Sequence, residues 1–359
     1  RIPTIGGHSE SVNIEFEKDL SNYIGQESKV ACLSSGTAAI HLALILSGVV
    51  QDDEVICQTF TFSASANPIT YQGANPIFID SEKNTWNMCP IALEEAIKYK
   101  IFKGKKPKAI IFVHLYGMPA KIEEIAAVAA KYKIALIEDA AEALGSTYKG
   151  QKCGTFGDFG ILSFNGNKII TTSGGGALVC KNEVDKQKAI FLATQARDKA
   201  VHFQHSEIGY NYRMSNILAG IGRGQMEVLD AHVELRRKMH QFYSELFKGV
   251  AGITIFKESN SDYYSNHWLS CILVDKKVTG FTNEDLRLQL LEDNIESRLL
   301  WKPMHLQPIF KDCDYYGATV TEDLFEKGLC LPSGSNLSEE ERIRIKESII
   351  GFLKQVSFD

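Results

Sequence analysis

The stretch SFNGNKIITTSGGGAL, residues 163–178, sets Lys168 between a Ser/Asn/Gly turn and a run of three glycines. A lysine amine kept unprotonated by its surroundings is a nucleophile toward carbonyls, whereas a lysine left in water is a solvated cation. Ser163, five positions ahead, offers a hydroxyl able to bind a phosphate whose attached carbonyl reaches the lysine. Gly174, Gly175 and Gly176 fit either a turn or a close pass of backbone beside a ligand. The preceding GTFGDFG invites a protein-kinase reading, but the Gly-rich loop, the VAIK-type lysine and the HRD loop are absent from the sequence.

Three further segments carry residue types that complete such chemistry. LSSGTAA, residues 33–39, turns from an apolar run into a helical one. Unpaired N–H groups of Gly36, Thr37 and Ala38 there make a phosphate seat at the positive end of a helix, or Ser35 or Thr37 simply caps it. In IALIEDAAEALGS, residues 134–146, Asp139 follows a nearly apolar run and is surrounded by Ala140, Ala141 and Ala143. A carboxylate in that setting needs a cation, such as a protonated pyridine nitrogen, unless it serves as a helix N-cap. TFTFSAS, residues 59–65, brings Phe60 or Phe62 to the same edge as an aromatic face, or as ordinary core.

These segments matter together because of the elements between them. KVACLSS, EVICQ, NPIFID, PKAIIFVHL and IALIED read apolar almost continuously, as strands buried on both faces do. GTAAIHLALILSGV, ANPITYQG, PIALEEAIKYK and KIEEIAAVAAKYK carry apolar residues at helical spacing between them. The alternation predicts an α/β fold with a mostly parallel sheet, whose ligands bind beyond the carboxyl ends of the strands. After residue 182 the pattern changes: 183–199 and 215–247 read as helical, and HWLSCILV leads a smaller α+β unit with helices at 282–293 and 338–356. Ser338 and Glu341 give the last helix a capping box. The expected division is a large domain at 1–245 and a small C-terminal domain at 246–359.

The chain has 359 residues, 44% apolar and 23% charged, with a net charge of −5 and a pI near 6.0. Its Lys and Arg are scattered, which argues against a nucleic-acid surface. The eight cysteines form no CxxC pair and no Cys/His metal spacing, and several sit in apolar runs, so a reducing cytoplasm and no metal are expected. No apolar run is long enough for a bilayer, and no basic-then-apolar leader opens the chain.

Taken in order, SSGTAA, EDAAEALGS, SFNGNK with its glycine run, and GYNYRMSN at 209–216 resemble the sugar-nucleotide aminotransferases of the DegT-like family, pyridoxal-phosphate enzymes of fold type I. The resemblance runs along the whole chain. TQARD, LLWKPMH and GLCLPSG add similarity to the bacterial enzymes that aminate UDP-4-keto-6-deoxy-N-acetylglucosamine on the route to bacillosamine, for surface glycan or glycoprotein synthesis. The resemblance implies a seven-stranded sheet, pyridoxal 5′-phosphate as cofactor, L-glutamate and a UDP-keto sugar as substrates, and a homodimer with shared active sites.

Carried over by residue, Lys168 matches the Schiff-base lysine and Asp139 the carboxylate under the pyridine nitrogen. Phe62 matches the aromatic that stacks on the ring, and Gly36, Thr37 and Ser163 match phosphate ligands. Asn211 matches an asparagine reaching the phosphate from the neighbouring subunit. Glu142 matches a polar residue near the cofactor's phenolic oxygen, where other branches use Gln or His. Arg213, Arg298, Lys302 and His305 are diphosphate or sugar contacts by the same resemblance, or surface charges and structural hydrogen bonds. Family members carry some twenty residues ahead of the segment matching RIPTIGG, so an arm that packs on the partner subunit is expected to be missing here. Three rivals bear on this reading: a dehydratase of the same fold, which has His in place of Lys168; an aminotransferase acting at C3 of the sugar; and a non-catalytic ligand-binding or regulatory protein.

Overall fold

The computed structural model describes residues 11–25 and 27–356, so RIPTIGG and the expectation attached to it lie outside the described residues. In chain order the strands of the first half are β1 (Lys29–Leu33), β2 (Glu54–Gln58), β3 (Asn75–Ile79), β4 (Ala109–Val113), β5 (Ala135–Asp139), the short β6 (Thr147–Tyr148) and β7 (Gln151–Lys152), β8 (Phe159–Ser163) and β9 (Gly176–Cys180). The second half adds β10 (Ile253–Ile255), β11 (Tyr263–Tyr264), β12 (Ser270–Val274), β13 (Arg298–Leu299), β14 (Tyr315–Tyr316) and β15 (Gly328–Leu331). The main sheet has the order β1-β9-β8-β5-β4-β2-β3-β14. Only β9 runs antiparallel to its neighbours within it. Seven strands come from the first half, as expected; the eighth, β14, is two residues long and arrives from the C-terminal part to pair with β3.

Strand residues partition between the two faces with period two. Ala31 and Leu33 of β1, Ala109 and Ile111 of β4, and Leu178 and Cys180 of β9 share one core with the helices Gly36–Leu46 and Ser63–Tyr71. Val30 and Cys32 face the opposite side, against the helix Ser11–Ile24, while Ile110 and Phe112 meet Pro90–Phe102 and Ile122–Tyr132. Covered on both sides, β2, β4, β8 and β9 are buried at every position, which is why EVICQ and PKAIIFVHL, the runs that contain β2 and β4, read almost continuously apolar.

The helical reading of 183–199 stops early, because the helix Glu183–Ala193 is followed by Gln195 and Ala196 at φ of 60° and 49°. Those two residues close against Gly209, where a Cβ would meet the Ala196 nitrogen at 2.2 Å. The span 215–247 is two helices, Asn216–Met226 and Leu229–Leu246. The second straddles the expected division at 245/246: Leu229 and Val233 pack with the main sheet, and Met239 and Tyr243 join the core of a four-stranded antiparallel sheet, β10-β12-β15-β13. That core is closed by the helices Asn283–Glu292 and Glu339–Val356. The capping box is present: the Ser338 N–H donates to Glu341 Oε2 at 2.7 Å, and the Glu341 N–H to Ser338 Oγ at 3.2 Å. Beyond the end of β3, Asp80 accepts N–H bonds from Ala318, Val320 and Thr321 at 3.0–3.1 Å, fastening the C-terminal part to the main sheet.

Candidate active site

The carboxyl ends of β1, β5 and β8 and the loop after β2 open into one cavity of about 1070 Å³, whose far wall comes from residues 268–269, 294–301 and 330–345. At the end of β1, Ser35 caps the helix Gly36–Leu46 by accepting from the Ala38 N–H at 3.0 Å, which leaves the earlier amides of Gly36 and Thr37 at the cavity. Three backbone segments converge there. A Cβ on Gly36 would sit 3.2 Å from the Ser163 Cβ, and a Cβ on Gly176 would sit 2.4 Å from the Gly36 nitrogen. The glycine run thus lets β9 pass against the helix start, and it keeps Ser163, Gly36 and Thr37 on one wall.

Asp139 ends β5, buried and facing the cavity. Its Oδ2 accepts from Ser65 Oγ at 2.6 Å and its Oδ1 from the Ala141 N–H at 3.1 Å. Ser65 Oγ also meets Thr61 Oγ1 at 2.7 Å, so a buried chain of hydroxyls orients the carboxylate. Of the two aromatic candidates, Phe60 is fully buried with its ring edge-on to Tyr116, whereas Phe62 is 57% exposed and lines the cavity, 5.5 Å from the Trp301 ring. The N–H of Lys168 donates to Asn165 O at 3.0 Å in the turn after β8. Its Nζ stands 3.2 Å from Glu142 Oε1 and 4.3 Å from the centre of the Trp268 ring. Trp268 is held in turn by its Nε1–H donating to Asn167 O at 2.8 Å. Glu142 also accepts from the Tyr116 N–H at 2.8 Å; burial pushes its carboxyl above the usual range, with the Lys168 ammonium pulling the other way.

Five of the remaining candidates divide clearly. Arg298 lines the cavity and pairs with Glu296. Arg213 stands away from it, its guanidinium bound to Glu17 and to the Cys32 carbonyl. Lys302 is exposed outside the lining, and His305 is committed elsewhere, with Nδ1 at 2.7 Å from Thr59 Oγ1 and its ring stacked 3.9 Å from Tyr315. For Arg213 and His305 the structural-bond alternative is therefore the one seen within this chain. Asn211 is exposed and lies outside this chain's own cavity, bridged to Thr194.

Sequence reasoning passed over Ser65, Thr61 and Trp268. The first two were visible as hydroxyls four apart at a helix start; nothing in HWLSCILV marks its tryptophan as a neighbour of a lysine one hundred positions earlier. Among the described residues one buried trio, His114, Glu138 and Cys153, has metal-ligand types. Its carboxylate is already filled: Glu138 accepts from Phe156 N–H at 2.6 Å, Gly157 N–H at 3.0 Å, the Gly154 N–H, and His114 Nε2 at 2.8 Å. The Ala120 N–H donates to His114 Nδ1 at 3.0 Å, which leaves the ring proton on Nε2 for Glu138. This trio locks the loop after β7. No described helix is long and apolar enough to cross a membrane.

The fold is that of a pyridoxal-phosphate-dependent sugar aminotransferase: the chain superposes with a TM-score of 0.86, at 28% identity over 98% of its length and 93% of the other, on the pyridoxal-phosphate form of Spr1654 from Streptococcus pneumoniae, assigned as a sugar aminotransferase. Residues 8–350 match the DegT/DnrJ/EryC1/StrS aminotransferase family, and the chain belongs to it. It is 51% identical over 339 residues, 93% of this chain and 86% of the relative, to EpsN of Bacillus subtilis, assigned to the pyridoxal phosphate-dependent aminotransferases. It is 40% identical over 322 residues, 89% of this chain and 84% of the relative, to the GDP-perosamine synthase of Escherichia coli O157:H7. Pyridoxal 5′-phosphate is the cofactor of these enzymes, and the cavity suits it: a buried carboxylate for a ring nitrogen, an amine for an aldehyde, and helix-start amides beside a serine hydroxyl for a phosphate.

Proposed function

We propose that this aminotransferase moves the amino group of L-glutamate to the C4 ketone of a UDP-4-keto-6-deoxy-N-acetylhexosamine, giving a UDP-4-amino sugar for surface glycan or glycoprotein synthesis. The observation that carries the reading is the convergence of Lys168, Asp139, Ser163 and the Gly36–Thr37 amides on one cavity large enough for a cofactor and a sugar together. When bound, pyridoxal phosphate supplies the electron sink and carries the amino group from donor to acceptor. Lys168 would hold the cofactor through its Nζ, and the same Nζ is the base that would move a proton at the substrate carbon. Asp139, oriented by Ser65 and Ala141, keeps a proton on the ring nitrogen. Gly36, Thr37 and Ser163 would hold the phosphate, Phe62 would pack on the ring and Glu142 would meet its phenolic oxygen, while in this chain Glu142 also holds Lys168 in register.

The site is completed in a homodimer, where Asn211 of the partner subunit reaches the phosphate. Its exposure within one chain, in a segment that also exposes Val201, Phe203 and Ile208, supports that arrangement. Of the substrate candidates, Arg298 is the one kept for this chain's own cavity. Free cysteines and the lack of any described membrane-length helix support action in the cytoplasm. A GDP-linked sugar is the second reading, favoured by the similarity to GDP-perosamine synthase. Incubation with L-glutamate and matched UDP- and GDP-4-keto and 3-keto sugars, followed by NMR of the product, tests the proposal. A new amine on C4 of the UDP sugar is expected; amination at C3, or of the GDP sugar alone, would overturn it.

A further inference from the structure

Cys271 of β12 and Cys330 of β15 are opposite residues of an antiparallel pair. Their Sγ atoms lie 3.7 Å apart. Neither thiol has a part in the proposed transfer. A disulfide needs Cα atoms roughly 4.4–6.8 Å apart, and directly opposite residues of antiparallel strands are separated by about 4.5–5.5 Å, so side-chain rotation and a small backbone adjustment suffice to close this pair. Access is one-sided: Cys330 lines the active-site cavity, and Cys271 is fully buried behind it. Burial pushes the Cys271 thiol well above its ordinary range, so of the two sulfurs it is the one at the cavity, Cys330, that is placed to react first with a molecule entering there.

We propose that Cys271 and Cys330 form a redox-active dithiol in the cavity wall, closed to a cross-strand disulfide by a small-molecule disulfide that enters the cavity. Cys330 Sγ, after losing its proton, attacks one sulfur of the oxidant and breaks its S–S bond, releasing one thiolate. Cys271 Sγ then gives up its proton and displaces the second thiolate from Cys330. The protein thiols lose two electrons, and the oxidant leaves as two thiols carrying both protons. The bond has a consequence for the site, because β12 follows Trp268 and Leu269 and β15 leads into Pro332 and Ser333, all of which line the cavity. Cross-linking ties these two edges together and moves the wall that sets Trp268 over Lys168.

The test treats the cofactor-loaded enzyme with bis(2-hydroxyethyl) disulfide and measures intact mass, non-reduced peptide maps and turnover. The expected result is loss of two hydrogens, a peptide joining positions 271 and 330, and a several-fold fall in turnover that dithiothreitol reverses. Cys271→Ser should keep basal turnover and instead hold a stable mixed disulfide on Cys330, with Cys271→Ala as the substitute if the serine variant does not fold. A wild-type enzyme that leaves both thiols reduced, or stops at the mixed adduct, would refute the dithiol. A cross-link that leaves turnover unchanged would refute its coupling to the cavity.

Discussion

Ser65→Ala removes one hydroxyl from the buried chain Thr61–Ser65–Asp139 and nothing from the cavity's charge. The lost bond is a short one, 2.6 Å, to a buried carboxylate. Hydrogen bonds to charged groups contribute about 1.5–3 kcal/mol. Asp139 keeps only the Ala141 N–H at 3.1 Å on Oδ1, so its Oδ2 loses its anchoring hydroxyl and the carboxylate is free to turn from the orientation proposed for it. If that bond is used to hold the carboxylate in place during the transfer, its loss lowers turnover by roughly 10- to 150-fold, since about 1.4 kcal/mol is tenfold in rate. The assay is kcat and KM for both half-reactions, alongside the thermal midpoint with and without cofactor. Ser65→Ala should lower kcat with little change in KM for the sugar. Turnover within two-fold of wild type, with only the thermal midpoint reduced, would show that Ser65 is a packing residue and refute the orienting role.

Three more outcomes follow from the same geometry. Lys168→Ala should abolish transfer and the cofactor's visible absorbance, read by spectrophotometry and product analysis; measurable turnover would contradict the assigned amine. Gly176→Ala places a methyl 2.4 Å from the Gly36 nitrogen, so cofactor affinity measured by titration should fall by at least tenfold while the fold survives by circular dichroism. His240 lies under His267, rings 3.6 Å apart, with Glu258 and Arg237 alongside, and burial holds its folded pKa down at about 4. The unfolded chain binds that proton first, near pH 6.5, so stability is full above that value and declines as pH falls toward 4. Chemical denaturation across that window should show the decline, and His240→Phe should flatten it; an unchanged slope would contradict the assignment.

Much of this arrangement was legible because it depends on local rules. Strands covered on both faces must be apolar throughout, and LSSGTAA, IALIED and SFNGNK sit where those runs end. The parts that were not legible depend on contacts between distant residues. Tyr315 and Tyr316 form a strand only because Asp80 and β3 provide an edge to dock against. Phe60 and Phe62 lie two residues apart in the loop after β2, and it is the packing of Phe60 against Tyr116 that makes it the core member of the two. Arg213 looked like an anion contact until Glu17, almost two hundred residues earlier, claimed its guanidinium. Trp268 carries no spacing signal at all, since its position over Lys168 is set by Asn167, by Asn266 and by the left-handed backbone of His267 at φ 46°.

Borohydride trapping tests the central claim most directly. Reduction of the cofactor-loaded enzyme, followed by peptide mapping, should fix the pyridoxyl group on the peptide containing Lys168 and on no other lysine. A label on a different lysine, or a fully active enzyme that cannot be labelled, would contradict the account.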